Sequence, residues 1–156
     1  MTGSTLRGFF VDGSLDSIRL EGMATTIYHL FEDSVYQGKN LVSGDTISMK
    51  FNDQDLDYIF VKGGSRGTYT PDSTNAEVDG PVTYSSEDIE YDILNEYMNL
   101  HGEADINYTN VNLAAGFINM EWNNNLLRAI PQSKKDSKYC LIYSGLNCAK
   151  FLITCI

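Results

Sequence analysis

The sequence predicts a mainly β, antiparallel protein with one short inserted helix. Three observations carry this. Apolar and polar residues alternate in several short runs, as on strands with one buried face. Strand- and turn-forming residues are abundant, with 10 Tyr and 13 Gly in 156 residues. A short pattern built on Asp, Leu and Ile recurs along the chain.

Thr5–Val11 is a short apolar run. Residues 17–21 alternate, with Ile18 and Leu20 on one face and Arg19 and Glu21 on the other. Residues 25–31 form a third candidate. Residues 46–51 set Ile47, Met49 and Phe51 against Thr46, Ser48 and Lys50. Residues 58–62 follow a polar turn, and Gly63, Gly64, Ser65, Arg66 and Gly67 read as a turn or loop. Residues 72–80 read as an exposed acidic loop ended by Pro81.

The helix is expected over residues 87–100. Ser85 stands three residues before Asp88, acids fill the first turn, and Ile89, Ile93, Tyr97 and Leu100 recur at helical spacing before Gly102. Further strands are expected at residues 106–113, 117–122 and 139–143, and the apolar run 148–156 reads as a buried strand.

Length and composition fit one folded unit over residues 1–156: 42% hydrophobic with 21% charged residues argues against disorder. Residues 1–10 lack a basic segment followed by an apolar run, which predicts a cytoplasmic location, with non-classical secretion as an alternative. No apolar stretch approaches a membrane span. Cys140, Cys148 and Cys155 are odd in number and lack metal-site spacing, so free thiols are expected.

Residues 67–127 hold no Lys or Arg but eleven acids, and so carry the whole net charge of −10. Phosphate-mediated nucleic-acid binding is disfavoured, while cations or a basic protein surface are favoured partners. A merely solubilising surface explains the same bias.

The repeat is the most informative feature. Asp12-Gly13-Ser14-Leu15-Asp16-Ser17-Ile18 leads to Gly22, and Asp53-Gln54-Asp55-Leu56-Asp57-Tyr58-Ile59 leads to Gly63. A weaker third copy starts at Asn124-Asn125. Leu and Ile anchor each loop, leaving the oxygens of Asp12 and Asp16, or of Asp53 and Asp57, at one end of a unit, where a hard cation such as Ca2+ could be held. An Asp capping its own turn accounts for the same residues.

Between the copies, Phe31, Glu32, Asp33, Tyr36 and Gly38 follow an aromatic–acid–turn–aromatic–Gly order. This resembles the opening of a βγ-crystallin Greek-key motif, with residues 53–59 in the place of its later loop. The second Asn/Asp of that loop is replaced by Gln54 or Gly13, and its Ser/Thr by Asp57, Asp16 or Arg128. The resemblance is clearest over residues 12–64. It implies an antiparallel Greek-key β-sandwich, with Asp12, Asp16, Glu32, Asp53 and Asp57 as calcium ligands. Residues 1–66 with 138–156 would carry the crystallin-like motifs, and 67–137 the acidic part with the helix. Half-motifs at the two ends would complete one unit within the molecule or in a homodimer.

Catalytic signatures are missing. His29 and His101 are isolated, no nucleophile–base pattern or phosphate-binding loop stands out, and no enzyme activity is expected. Trp122 reads as a core anchor. Two function classes follow: a non-enzymatic calcium-binding protein with a structural, stress or adhesive role, or an acidic module (inhibitor, toxin or viral antagonist) for a basic partner.

Overall fold

The computed structural model describes residues 1–32, 34–73, 80–122, 124, 126–131 and 152–155. They form one nine-stranded sheet: β1 (Thr5–Val11), β2 (Ser14–Glu32), β3 (Val35–Asn52), β4 (Asp55–Pro71), β5 (Val82–Asp92), β6 (Tyr97–Tyr108), β7 (Val111–Glu121), β8 (Leu126–Ile130) and β9 (Leu152–Cys155). The strands lie side by side in chain order, β1 to β9. All neighbouring pairs from β1 to β8 are antiparallel, and β8 pairs with β9 in parallel.

Strands of 19, 18 and 17 residues (β2, β3, β4) would run on the order of 60 Å if straight. They are not straight. Each is interrupted near its middle by a bulge, and the bulges are aligned across the sheet. Gly22 and Met23 of β2 stand opposite Asp45 alone. Gly63 and Gly64 of β4 stand opposite Glu87 alone, and Gly102 and Glu103 of β6 opposite Gly116 alone. All six residues on the even-numbered strands have φ between 46° and 82°, the left-handed region where glycine carries no side-chain penalty. Such bulges bend a strand sharply. The sheet therefore has two arms, a proximal one with the turns at Asp12 and Asp53 and a distal one with the β2–β3 turn.

The bulges also control which side chains point inward. On β6 the two bulge residues keep the alternation in phase: Met98, Leu100, Ala104 and Ile106 are all buried. On β3 and β5 the phase flips across the bend, from Asn40 and Val42 to Ile47 and Met49, and from Tyr84 and Ser86 to Ile89 and Tyr91. Both arms thus present the same sheet face to one interior. Leu20, Ile47, Ile59, Val61, Ile89, Tyr91, Leu100 and Ile118 from the proximal arm join Ala24, Val42, Tyr84, Ile106 and Leu113 from the distal arm in a single cluster.

Several expectations are corrected. Greek-key connections would make non-consecutive strands neighbours, whereas the order here is consecutive. Residues 87–100 are not helical but belong to β5, a turn and β6. Ile89 faces Leu100 directly across the ladder, so a hairpin register produced the helix-like spacing. Residues 63–67 lie inside β4. The repeat is real, but its third copy is residues 97–102, which leads to Gly102 as residues 17–22 lead to Gly22 and 58–63 to Gly63. In the copy placed at Asn124, residues 126–130 form the five-residue β8. The chain ends do not complete one unit within the molecule, because β1 and β9 lie at opposite edges of the sheet order. The strand expected at 139–143 lies outside the described residues.

Candidate functional site: the interior of the bent sheet

The first two copies of the repeat build equivalent hairpins. Asp12-Gly13 and Asp53-Gln54 are two-residue turns with φ of 49° and 83°, and of 49° and 77°. Both central residues are left-handed, as the tightest hairpin turns require. Asp16 accepts the Ser17 hydroxyl at 2.9 Å, and the Asp57 carbonyl accepts the Ile93 N–H at 2.9 Å. β3 separates β2 from β4, so the two Asp loops stand about 10 Å apart. Glu32 ends β2 at the far tip of the distal arm. The structure therefore does not bring Glu32 to the Asp loops. Among the described residues no group of three or more His, Cys, Asp or Glu is placed to hold a metal ion.

Several acids of the basic-free segment have local partners. On the outer face of the proximal arm a polar row crosses five strands. Tyr58 donates to Glu90 at 2.8 Å and Asn99 donates to Glu90 at 2.9 Å. Asn119 donates to Asn99 at 2.8 Å and Arg128 to Asn119 at 3.1 Å, while Arg128 also pairs with Glu121. His101 stands 3.3 Å from Glu90. Burial alone would raise the Glu90 carboxyl, but hydrogen bonds from Asn99, Tyr58 and His101 outweigh it and hold it below its ordinary value. Asp88 accepts the Gly63 N–H at 3.0 Å. Trp122 is 37% exposed just beyond β7, not a core anchor.

The inner face is where the chain departs from a surface of satisfied pairs. It is mainly apolar, with Thr26, Ser65 and Ser86 buried among the apolar side chains and a chain of polar side chains at the bend. Tyr91, on the proximal arm, donates to the Tyr84 hydroxyl at 2.6 Å. Tyr84, on the distal arm, donates to Asn40 Oδ1 at 2.5 Å, and Asn40 Nδ2 donates to the Tyr28 hydroxyl at 2.8 Å. The Tyr91 ring meets those of Tyr28 and Tyr84 edge-on, at 5.9 and 6.3 Å. Burial pushes all three phenols above their ordinary value. Gly67 makes the space: a Cβ there would lie 2.0 Å from the Tyr84 ring.

At the β1 edge no described residue caps the interior. Leu6 pairs with the buried Leu20 and so shares its face. Phe10 and Leu15 lie within 4 Å of where a Gly8 side chain would point, on that same face. Yet Leu6 is 60% and Phe10 69% exposed. Apolar residues on an inner face with no described residue over them mark a place for a guest. Alternation identified strand faces in the sequence, but no local signal showed that the two arms of a bent strand turn one face to a common interior.

No protein-family profile and no curated protein matches the sequence. A solved structure does match: LptH, the LptA-homologous periplasmic component of the lipopolysaccharide transport device from Pseudomonas aeruginosa, with a TM-score of 0.60 and 14% identity over 94% of this chain and 92% of that chain. The likeness establishes the fold. It overturns the βγ-crystallin resemblance and, with it, the reading as a calcium-binding structural, stress or adhesive protein. It gives no support to the acidic inhibitor- or toxin-like module. The cytoplasmic expectation is corrected as well, since the protein that shares this fold is a periplasmic component. No helix among the described residues is long and apolar enough to cross a membrane.

Proposed function

We propose that this chain binds and passes on an amphipathic lipid of the lipopolysaccharide class in a periplasmic setting, holding acyl chains against the inner face of the bent sheet. The observation that carries this reading is the uncapped apolar interior at β1, formed by Leu6, Phe10, Leu15 and Ile18. The near full-length likeness to a lipopolysaccharide transport component supports it. The role is binding and transfer, without a chemical step. An apolar trough suits acyl chains because removing their surface from water is worth roughly 0.8 kcal/mol per methylene.

Site-specific photo-crosslinking in the presence of lipopolysaccharide tests the proposal. A photoreactive residue at Leu6 or Phe10 should capture the lipid, and one at Lys50, on the outer face, should not. Equal or absent capture at the inner and outer positions would overturn it.

A further inference from the structure

We propose that Tyr91 is a latch that holds the two arms shut, and that its release admits apolar chains past the bend. This deepens the lipid-carrying reading and rests on it. Tyr28, Asn40 and Tyr84 all stand on the distal arm, on β2, β3 and β5, and are already linked by the Asn40 contacts at 2.8 and 2.5 Å. They form a preassembled polar receptor. Tyr91 reaches it from the proximal arm, its hydroxyl 2.6 Å from that of Tyr84. Tyr91 is fully buried, while Tyr28 is only partly so.

The chemistry of the contact is that of a two-state closure. If the arms part, the Tyr91 hydroxyl loses a protein partner, whereas Tyr84 keeps Asn40 and Asn40 keeps Tyr28. The receptor stays satisfied in either state. A buried polar chain of this kind is stable when complete and costly when broken without water, so intermediate separations are disfavoured. The latch also stands in the path of a guest. From the open edge one row of the inner face, Ile18, Met49 and Ile59, leads across the sheet to Tyr91. Acyl chains seated at β1 stop there while the arms are closed.

Tyr91→Phe isolates the latch, because it removes the cross-arm donor and leaves the receptor intact. Binding of the apolar fluorescent probe N-phenyl-1-naphthylamine should tighten by about three- to tenfold, the equilibrium worth of one hydrogen bond between neutral groups. Amide hydrogen exchange should quicken together on both sides of the bend, at residues 84–86 and 89–91, and not in the β6–β7 hairpin. Probe affinity and exchange equal to wild type would overturn the latch. Should Tyr91→Phe fail to fold, Tyr84→Phe carries the test, because it removes the acceptor of the cross-arm hydrogen bond: its affinity should also rise, and an unchanged affinity overturns the proposal. Lipopolysaccharide capture at Leu6 in the unaltered chain reports separately on carriage. Capture with no effect of Tyr91→Phe removes the latch alone. Tighter probe binding in Tyr91→Phe with no capture removes lipopolysaccharide carriage alone.

Discussion

Tyr84 and Tyr91 stand seven residues apart on one strand, yet their phenol oxygens lie 2.6 Å from each other. In a straight strand their Cα atoms would be about 23 Å apart, and an odd separation would send the side chains to opposite faces. The register shift between Ser85 and Asp88 changes both facts. It bends β5, and it returns Tyr91 to the face that Tyr84 occupies. The same device acts across the neighbouring strands and encloses one interior.

Gly67 should be intolerant of any side chain. Its place beneath the Tyr84 ring leaves a Cβ only 2.0 Å of clearance. Gly67→Ala is expected to destabilise by about 1–3 kcal/mol, lowering the melting temperature by about 3–10 °C. Gly80→Ala, where nothing lies within 4 Å, should melt like the unaltered chain. Equal melts for the two variants would show that Tyr84 is not packed on Gly67.

Stability should fall at high pH. The folded pKa values of Tyr28, Tyr84 and Tyr91 lie above the ordinary value of 10.0. An unfolded chain then releases these protons first. Their contribution is fully present below pH 10 and is lost as pH rises beyond it, by at most about 1.4 kcal/mol per pH unit for each tyrosine. Phenolate absorbance should rise in two stages, exposed tyrosines first and the buried three together with unfolding. A single smooth titration of all tyrosines in a folded protein would contradict the buried cluster.

The bulge at Gly22-Met23 should tolerate substitution but not shortening. Met23 is 86% exposed with φ of 50°, so Met23→Gly should be neutral or stabilising by up to about 1 kcal/mol, since the left-handed strain is relieved. Deleting Met23 shifts the distal part of β2 by one residue and turns Thr26 and Tyr28 outward. Soluble expression with a circular dichroism spectrum should be retained by the substitution and lost on deletion. A deletion variant with an unchanged melt would mean that the bulge does not set the phase.

Leu94 and Leu100 differ sharply in burial within the β5–β6 hairpin. Leu100 is fully buried and Leu94 is 71% exposed in the β5–β6 turn. Leu100→Ala should cost about 2–5 kcal/mol by emptying part of the core, and Leu94→Ala should stay within about 0.5 kcal/mol. Denaturant unfolding of both variants gives the comparison, and similar losses would argue against the β5–β6 hairpin.

By itself the sequence determined the strand faces and the repeat. Alternation at Ile47, Met49 and Phe51 put the first two into the core and the third against it. The pattern from Asp12 to Gly22, and from Asp53 to Gly63, marked a tight turn, a strand and a bulge residue. These features are local: two-residue periodicity and left-handed φ are written in neighbouring side chains. The tertiary structure decided what such units assemble into. A glycine pair inside a strand has the same local signature as a turn between strands, so residues 63–67 looked like a loop until β3 and β5 paired on both sides of them. Ile89 and Leu100 match a helical spacing as well as a hairpin register, and only the ladder between β5 and β6 distinguishes the two. The Asp residues of the turns fit two readings in the sequence, because a carboxylate that shapes a turn and one that binds a cation share a pattern. Glu32 joins or leaves such a set only through the length and direction of β2. The meeting of Tyr91 with Tyr84, Asn40 and Tyr28 has no sequence signal at all. It exists because aligned bulges on successive strands bend the whole sheet, and that alignment is a property of strand register, not of any one segment.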